Sequence, residues 1–243
     1  MSRTDFDAFK HYEAVSFDMD GTLYALDHFK VNLALRRPLD VKWWLAMEKA
    51  RKALRAQRVQ DDDIGLRVQK DMAKALGKPL NKVTQRVAHM IDHDWPAILS
   101  HMTPFRRIRP LLGALVAAQI PMIINSDYPG ARKAKALGLD GYPWHAIIDA
   151  TAHGGLKPRP EAFLAAARAL NLPPAKILHI GDSPHLDVEG ANGVGMGTVL
   201  VGRHRPDPQV AAQKPDYQFS SMNQFCDVAI EALKAQVARR TTP

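Results

Sequence analysis

Cysteine is almost absent from this chain of 243 residues. Cys226 stands alone, so no disulfide can form within the chain, and a reducing compartment suits it. Long apolar runs are missing too. The most apolar stretch, "LLGALVAAQIPMII", is too short for a bilayer and contains Gln119 and Pro121. The first residues, "MSRTDFDAFKHYEA", carry acids and no apolar segment, unlike a secretory leader. These absences predict a cytoplasmic protein with no membrane partner. There is no repeat of fixed period and no low-complexity tract. Zinc-type spacing, an aromatic RNA platform and a helix-turn-helix pattern are also lacking, so nucleic acid is not an expected partner.

What is present is a globular composition, 46% hydrophobic and 24% charged, with length for one large core or a core plus a smaller domain. The net charge of +8 favours anionic partners without choosing among nucleic acid, acidic lipid and phosphorylated metabolites. Nothing in the sequence sets the oligomeric state.

Periodicity divides the chain. Residues 14–18 read as a short buried strand. From about 28 to 102 the pattern is helical, with no convincing strand. There "DVKWWLAMEKARKALRAQ" has Asp40 as candidate N-cap. The stretch "DDDIGLRVQKDMAKALG" starts on Asp61, Asp62 and Asp63 and ends at Gly77, and "NKVTQRVAHMIDHDW" has Asn81 as candidate cap. After Pro104 strands and helices alternate: "RIRPLLGALVAAQ" helix, "PMIINS" strand, "HAIIDA" strand, "PEAFLAAARALN" helix, "KILHIGDS" strand, "HLDVEGAN" short helix, "GTVLV" and "DYQF" strands, and a terminal helix from Met222. That alternation predicts an α/β fold, a Rossmann-like parallel sheet with helices on both faces. The core spans 1–24 and 104–243, and an all-helical insertion, 25–103, follows the first strand. Such an insertion suits a lid over the strand ends, hinged near 24–28 and 102–104.

Ligands of open α/β sheets bind beyond the carboxyl ends of the strands. Here those ends carry chemistry. "AVSFDMDGTLYALD" ends an apolar run on Asp18 and Asp20, which in isolation could be only a polar turn. The next strand ends in Asn125-Ser126-Asp127, the loop "GGLKPRPEAF" carries Lys157, and a later strand ends at Gly181-Asp182 with Asp187 beyond it. Parallel strands bring these to one edge, where so many carboxylates need a cation. Oxygen-only ligands suit Mg²⁺. The same set meets the needs of phosphoryl transfer: a carboxylate nucleophile, a metal site, a hydroxyl and a lysine for phosphate oxygens, and an acid for the leaving group. Gly21 lets backbone N–H groups approach phosphate, and Thr22 joins it in that turn.

With these four motifs in order, "DMDGT", a strand ending at Ser126, Lys157 in "GLKPRPEAF" and "GDSPHLD", the chain resembles the haloacid dehalogenase (HAD) superfamily of phosphatases, in its helical-cap, phosphoglycolate phosphatase-like subclass. The resemblance implies that Asp18 attacks phosphorus and that Asp20 serves as acid and then as base. It implies that Asp18, Asp182 and the Asp20 backbone carbonyl hold Mg²⁺. Asp187 then completes the metal shell or orients Lys157. The expected activity is hydrolysis of a small phosphorylated metabolite. A phosphomutase acting on a sugar phosphate is the alternative, and a non-catalytic anion or nucleic-acid binder a third. Dehalogenation is disfavoured, because the family's dehalogenases lack the aspartate that is Asp20 here.

Other features have plainer readings. His89 and His93 have a metal-compatible helical spacing but no third ligand, and read as a helix surface. Trp43 and Trp44 beside Lys49, Arg51, Lys52 and Arg55 read as a helix with a basic outer face, although those cations could instead meet an anionic substrate. His185 reads as a loop residue, and no role is assigned to the Asp127 side chain.

Overall fold

The structure is a computed structural model that describes residues 6–59, 61 and 63–241. The first five residues and Asp62 of the acidic run lie outside the described residues. Six strands, β1 (Ala14–Phe17), β2 (Met122–Ser126), β3 (Trp144–Asp149), β4 (Ile177–Gly181), β5 (Gly197–Val201) and β6 (Tyr217–Phe219), form one sheet in the order β3-β2-β1-β4-β5-β6. All pairings are parallel, as the alternating pattern predicts. Every residue of β1, β2, β4 and β5 is buried, which is why these strands read as predominantly apolar runs rather than alternating ones.

Successive side chains point to opposite faces of the sheet. On one face Val15, Phe17, Met122 and Ile124 pack with Ile108, Leu111, Leu112 and Leu115 of α6 (Ile108–Ala117) and with α10 (Met222–Thr241). On the other, Ala14, Ile123 and Ile177 meet Phe163 and the alanines of α8 (Glu161–Leu170). Each fully buried leucine here contributes roughly 1.5–3 kcal/mol. The chain runs outward from β1 to β2 and β3, then returns to place β4 on the other side of β1. That reversal opens a crevice at the carboxyl ends of β1 and β4.

Between β1 and α6 the described residues from Leu26 to Met102 contain helices and no strand: α1 (Leu26–Arg36), α2 (Pro38–Ala56), α3 (Ile64–Leu76), α4 (Leu80–His89) and α5 (Trp95–Leu99). The two connections to the rest of the chain run side by side, with the Phe105 N–H donating to the Leu23 carbonyl at 3.0 Å. Phe29, Leu33, Met47, Ile64, Met72, Val83 and Trp95 form the insertion's interior.

Three expectations need correction here. Asp40 does not cap α2: Pro38 occupies the first turn, and Asp40 is buried against Arg86. Asn81 does not cap α4 either, because the helix starts at Leu80 behind Pro79, and the Asn81 side chain accepts only from the Lys82 N–H. The helix expected over 81–95 is not continuous. It passes through a π-helical turn, Met90–Asp94, and restarts as α5, where Pro96 has no N–H to continue the ladder. By contrast Asp63 caps α3 by accepting from the Leu66 N–H at 2.8 Å, and Gly77 closes that helix at φ 60°.

Candidate active site

Asp18 is the first residue beyond β1, and its own N–H still donates to Ile180 of β4 at 2.8 Å. The backbone then turns through Gly21 at φ +99°. A Cβ there would lie 2.5 Å from Asp182 Oδ2, so glycine is required twice over. β4 ends at Gly181, where a Cβ would collide with the Asp187 side chain. The chain proceeds through a π-helical turn, Pro184–Val188, into α9 (Glu189–Asn192), and Ser183 caps this turn through the Leu186 N–H.

These turns bring Asp18, Asp182 and Asp187 together, one oxygen of each within 4.8 Å of the others. Lys157 enters between them, donating to Asp18 and to Asp187 at 2.9 Å each while only 1% exposed. Burial pushes the Asp18 carboxyl well above its usual range. Lys157 opposes that, but the negative charges of Asp187, Asp182 and Asp20 reinforce it. Burial raises Asp182 as well. For Asp187, burial is outweighed by Lys157 and by the His179 hydrogen bond, and it titrates below the usual carboxylate range. Lys157, despite burial, is held above the ordinary lysine value by Asp18 and Asp187. The donor set is all oxygen, from short carboxylates that the protein's own cations leave incompletely neutralised. It fits a hard divalent cation such as Mg²⁺.

Asp20 sits apart from that cluster. One of its oxygens accepts from the Tyr24 hydroxyl and the other from Lys133 Nζ, at 2.6 Å for the lysine. Lys133 lies on α7 (Gly130–Ala136), the helix after β2, and also donates to Ser126 Oγ at 3.3 Å. Thr22 is fully buried and its hydroxyl has no hydrogen-bond partner among the described residues.

A cavity of about 260 Å³ opens onto this edge, lined by Asp18, Asp20, Lys133, Lys157, Asp182 and Asp187. The insertion walls its other side with Phe29, Trp44, Glu48, Arg51, Arg55 and Trp95. Gly21, Thr22 and Ser126 are not part of this wall. The basic stretch of α2 divides by helix phase: Lys49 and Lys52 are exposed, while Arg51 and Arg55 turn inward to Asp127. Arg51 stacks 3.6 Å over the Tyr128 ring, whose hydroxyl donates to Glu48 at 2.8 Å. The Asp127 side chain, given no role from sequence, is thus central. It accepts from the Lys157 N–H at 3.0 Å, and Arg55 Nε donates to the Lys157 carbonyl at 3.0 Å. Burial would raise Asp127, but Arg51, Arg55 and Lys157 hold it below the ordinary carboxylate value.

Tyr24, Lys133, His179 and His204 also escape the sequence reading. His179, buried within β4, joins Ser16 Oγ at 3.0 Å and Asp187 at 3.3 Å, and burial lowers its pKa. His204 lies at the exposed rim, hydrogen-bonded to Asp182 and raised by it to about 9. His89 faces Arg86 and Asp94, and among the described residues only the Asp18, Asp182 and Asp187 group could hold a metal. His185 pairs with Glu189 at 2.8 Å on the surface.

A haloacid dehalogenase-like hydrolase family model matches residues 12–195. The chain belongs to that family of hydrolases. β-Phosphoglucomutase of Bacillus subtilis is 26% identical over 202 residues, covering 80% of this chain and 85% of that protein. A glyceraldehyde 3-phosphate phosphatase of Methanopyrus kandleri is 31% identical over 94 residues, and the chain spans only 40% of that relative. The L-2-haloacid dehalogenase of Xanthobacter autotrophicus superposes with a TM-score of 0.62 at 18% identity, over 89% of this chain and 98% of that one, and so shares its fold. No helix among the described residues is long and apolar enough to cross a membrane.

Proposed function

We propose that the protein is a Mg²⁺-dependent phosphatase of a small phosphorylated metabolite, working through an aspartyl-phosphate. The supporting observation is the separation of two nearby carboxylates. Asp18 lies in the acidic cluster with Lys157, while Asp20 stands outside it with its own donors, Tyr24 and Lys133. In this reading an Asp18 oxygen attacks phosphorus as the bond to the leaving oxygen breaks. Asp20 gives that oxygen a proton. A water then attacks the acyl phosphate, Asp20 takes its proton, and the Asp18–phosphorus bond opens to free phosphate. Ser126, the Gly21–Thr22 turn and Lys157 bind phosphate oxygens. Asp18, Asp182 and the Asp20 carbonyl would hold Mg²⁺. The bond from Lys157 to Asp187 favours an orienting role for Asp187. When bound, the metal supplies positive charge against the phosphate oxygens.

Residues 25–103 act as a cap over the core formed by 1–24 and 104–243, with α1, α2 and α5 supplying its cavity wall. The cap opens to admit substrate and closes to exclude water from the acyl phosphate. Because the match to β-phosphoglucomutase runs over most of the chain, a sugar phosphomutase is the second reading. A panel of phosphorylated metabolites with Mg²⁺ tests both. Release of inorganic phosphate supports the phosphatase, and an isomerised hexose phosphate without release supports the mutase. Chloride release from 2-chloropropionate, or RNA binding with no turnover of any phosphoester, would overturn both.

A further inference from the structure

We infer that Lys133 is a substrate-binding cation of this site, a second lysine that contacts the phosphoryl group from the side opposite Lys157 and exchanges Asp20 for a phosphoryl oxygen when substrate arrives. The inference rests on the phosphoryl-transfer reading above and adds a residue to it.

Three observations carry it. Lys133 is only 3% exposed, yet it lines the cavity rather than the protein interior. Its ammonium has three donors. One is given to Asp20 at 2.6 Å and one to Ser126 Oγ at 3.3 Å, the hydroxyl to which the reading above assigns a phosphate oxygen. A strongly hydrated ammonium is rarely buried for packing alone, and Tyr128, 5.4 Å away, offers only a ring face. Lys157 occupies the other flank, bound to Asp18 and Asp187. The two lysines therefore divide the carboxylates between them, Lys157 on Asp18 and Asp187 and Lys133 on Asp20.

The contact also bears on Asp20. Both of its oxygens accept hydrogen bonds in this structure, from Tyr24 and from Lys133, so each already has a donor before substrate arrives. A phosphoryl dianion is a stronger attractor for the Lys133 ammonium than one carboxylate. Moving that N–H to a phosphoryl oxygen releases Asp20 Oδ2 at the moment substrate is in place. Ser126, already bonded to Lys133, keeps the ammonium within reach of the same oxygen.

The test measures binding of inorganic phosphate to the full chain with Mg²⁺ by calorimetry, beside steady-state turnover. Lys133→Met should weaken phosphate binding about 10- to 100-fold, the loss of one charge-assisted contact, and raise KM in parallel. Lys133→Arg keeps the charge and should recover most of the affinity. If Lys133 merely steadied Asp20, Lys133→Met would lower kcat and leave phosphate affinity and KM unchanged, and that outcome overturns the proposal. Should Lys133→Met fail to fold, judged by circular dichroism, Lys133→Gln with the same readout decides. Phosphate binding that depends on Lys133 in a protein that turns over no phosphoester upholds this contact while the phosphatase reading fails. Turnover with a Lys133-independent phosphate affinity does the reverse. No phosphate binding to the unsubstituted protein overturns the proposal outright.

Discussion

Beside the Asp127–Arg51–Arg55 set on the cavity's far wall, two further groups of buried charges are built differently. In the insertion, Asp40 and Asp94 face Arg37 and Arg86, with His89 alongside, so carboxylates and guanidinium groups match. At the sheet edge Asp18, Asp20, Asp182 and Asp187 face two ammonium groups, Lys133 and Lys157, with the exposed His204 offsetting part of the excess at the rim. The first group is closed on itself and holds helices together. In the second, burial raises the pKa of Asp18 and Asp182, with neighbouring carboxylates adding to the effect, a cost that a bound divalent cation would offset on the reading proposed above. Imbalance, more than burial or residue type, separates a site from a strut.

The comparison breaks most sharply at Asp18. Asp18→Asn should lower turnover by roughly 10³-fold or more, because an amide is a poor nucleophile. The same change relieves repulsion in the metal-free protein, so its melting temperature should hold or rise. Phosphate release and thermal unfolding without metal check both halves. A fall in metal-free stability would mean that the cluster is balanced after all.

Asp20→Asn leaves the nucleophile intact. In single-turnover experiments, release of an alkyl leaving group should slow by roughly 10²–10⁴-fold and release of nitrophenolate by much less. Equal slowing of both would remove Asp20 as the acid.

Mg²⁺ should stabilise the protein by mass action, about 2.7 kcal/mol at a hundredfold excess over its Kd. The thermal shift should vanish in Asp182→Asn and persist unchanged when the insertion's network is altered. Ca²⁺ should bind without supporting comparable turnover, since its looser coordination can occupy both Asp18 oxygens.

The smallest effect on catalysis is expected from Asp94→Asn. It should cost about 1–3 kcal/mol of stability at neutral pH, with kcat/KM altered only a few-fold. For Asp94, burial acts upward on the pKa, but Arg86 and His89 outweigh it and hold the carboxyl below its ordinary value. A lowered carboxylate contributes stability above its unfolded value and loses it as pH falls through the folded one. The gap between variant and parent, measured by urea unfolding, should therefore close in acid.

The sheet was legible because β1, β2, β4 and β5 are buried on both faces and carry apolar residues at nearly every position. The acidic site was legible because its members end those strands. Lys133 was not, since it stands among Arg132 and Lys135 on α7, and only the packing of that helix picks it out. Arg51 and Arg55 were visible as part of a basic stripe, but which of its members face inward depends on where the core lies. Asp40 misled as a cap because its true partner, Arg86, is 46 residues away. Local signals gave strand ends, and long-range pairing decided the rest.

One feature of the cavity limits how freely this architecture can be rebuilt. The peptide unit of Lys157 is held at its N–H by Asp127 and at its carbonyl by Arg55, a residue of the insertion that also pairs with Asp127. Insertion and sheet are thus keyed to each other through the backbone of one lysine. A chimera carrying a foreign helical insertion would keep every motif residue and still lose this seam. Transplanting a new cavity wall onto the core would require bringing along a guanidinium at the position of Arg55, matched to the Asp127 already there.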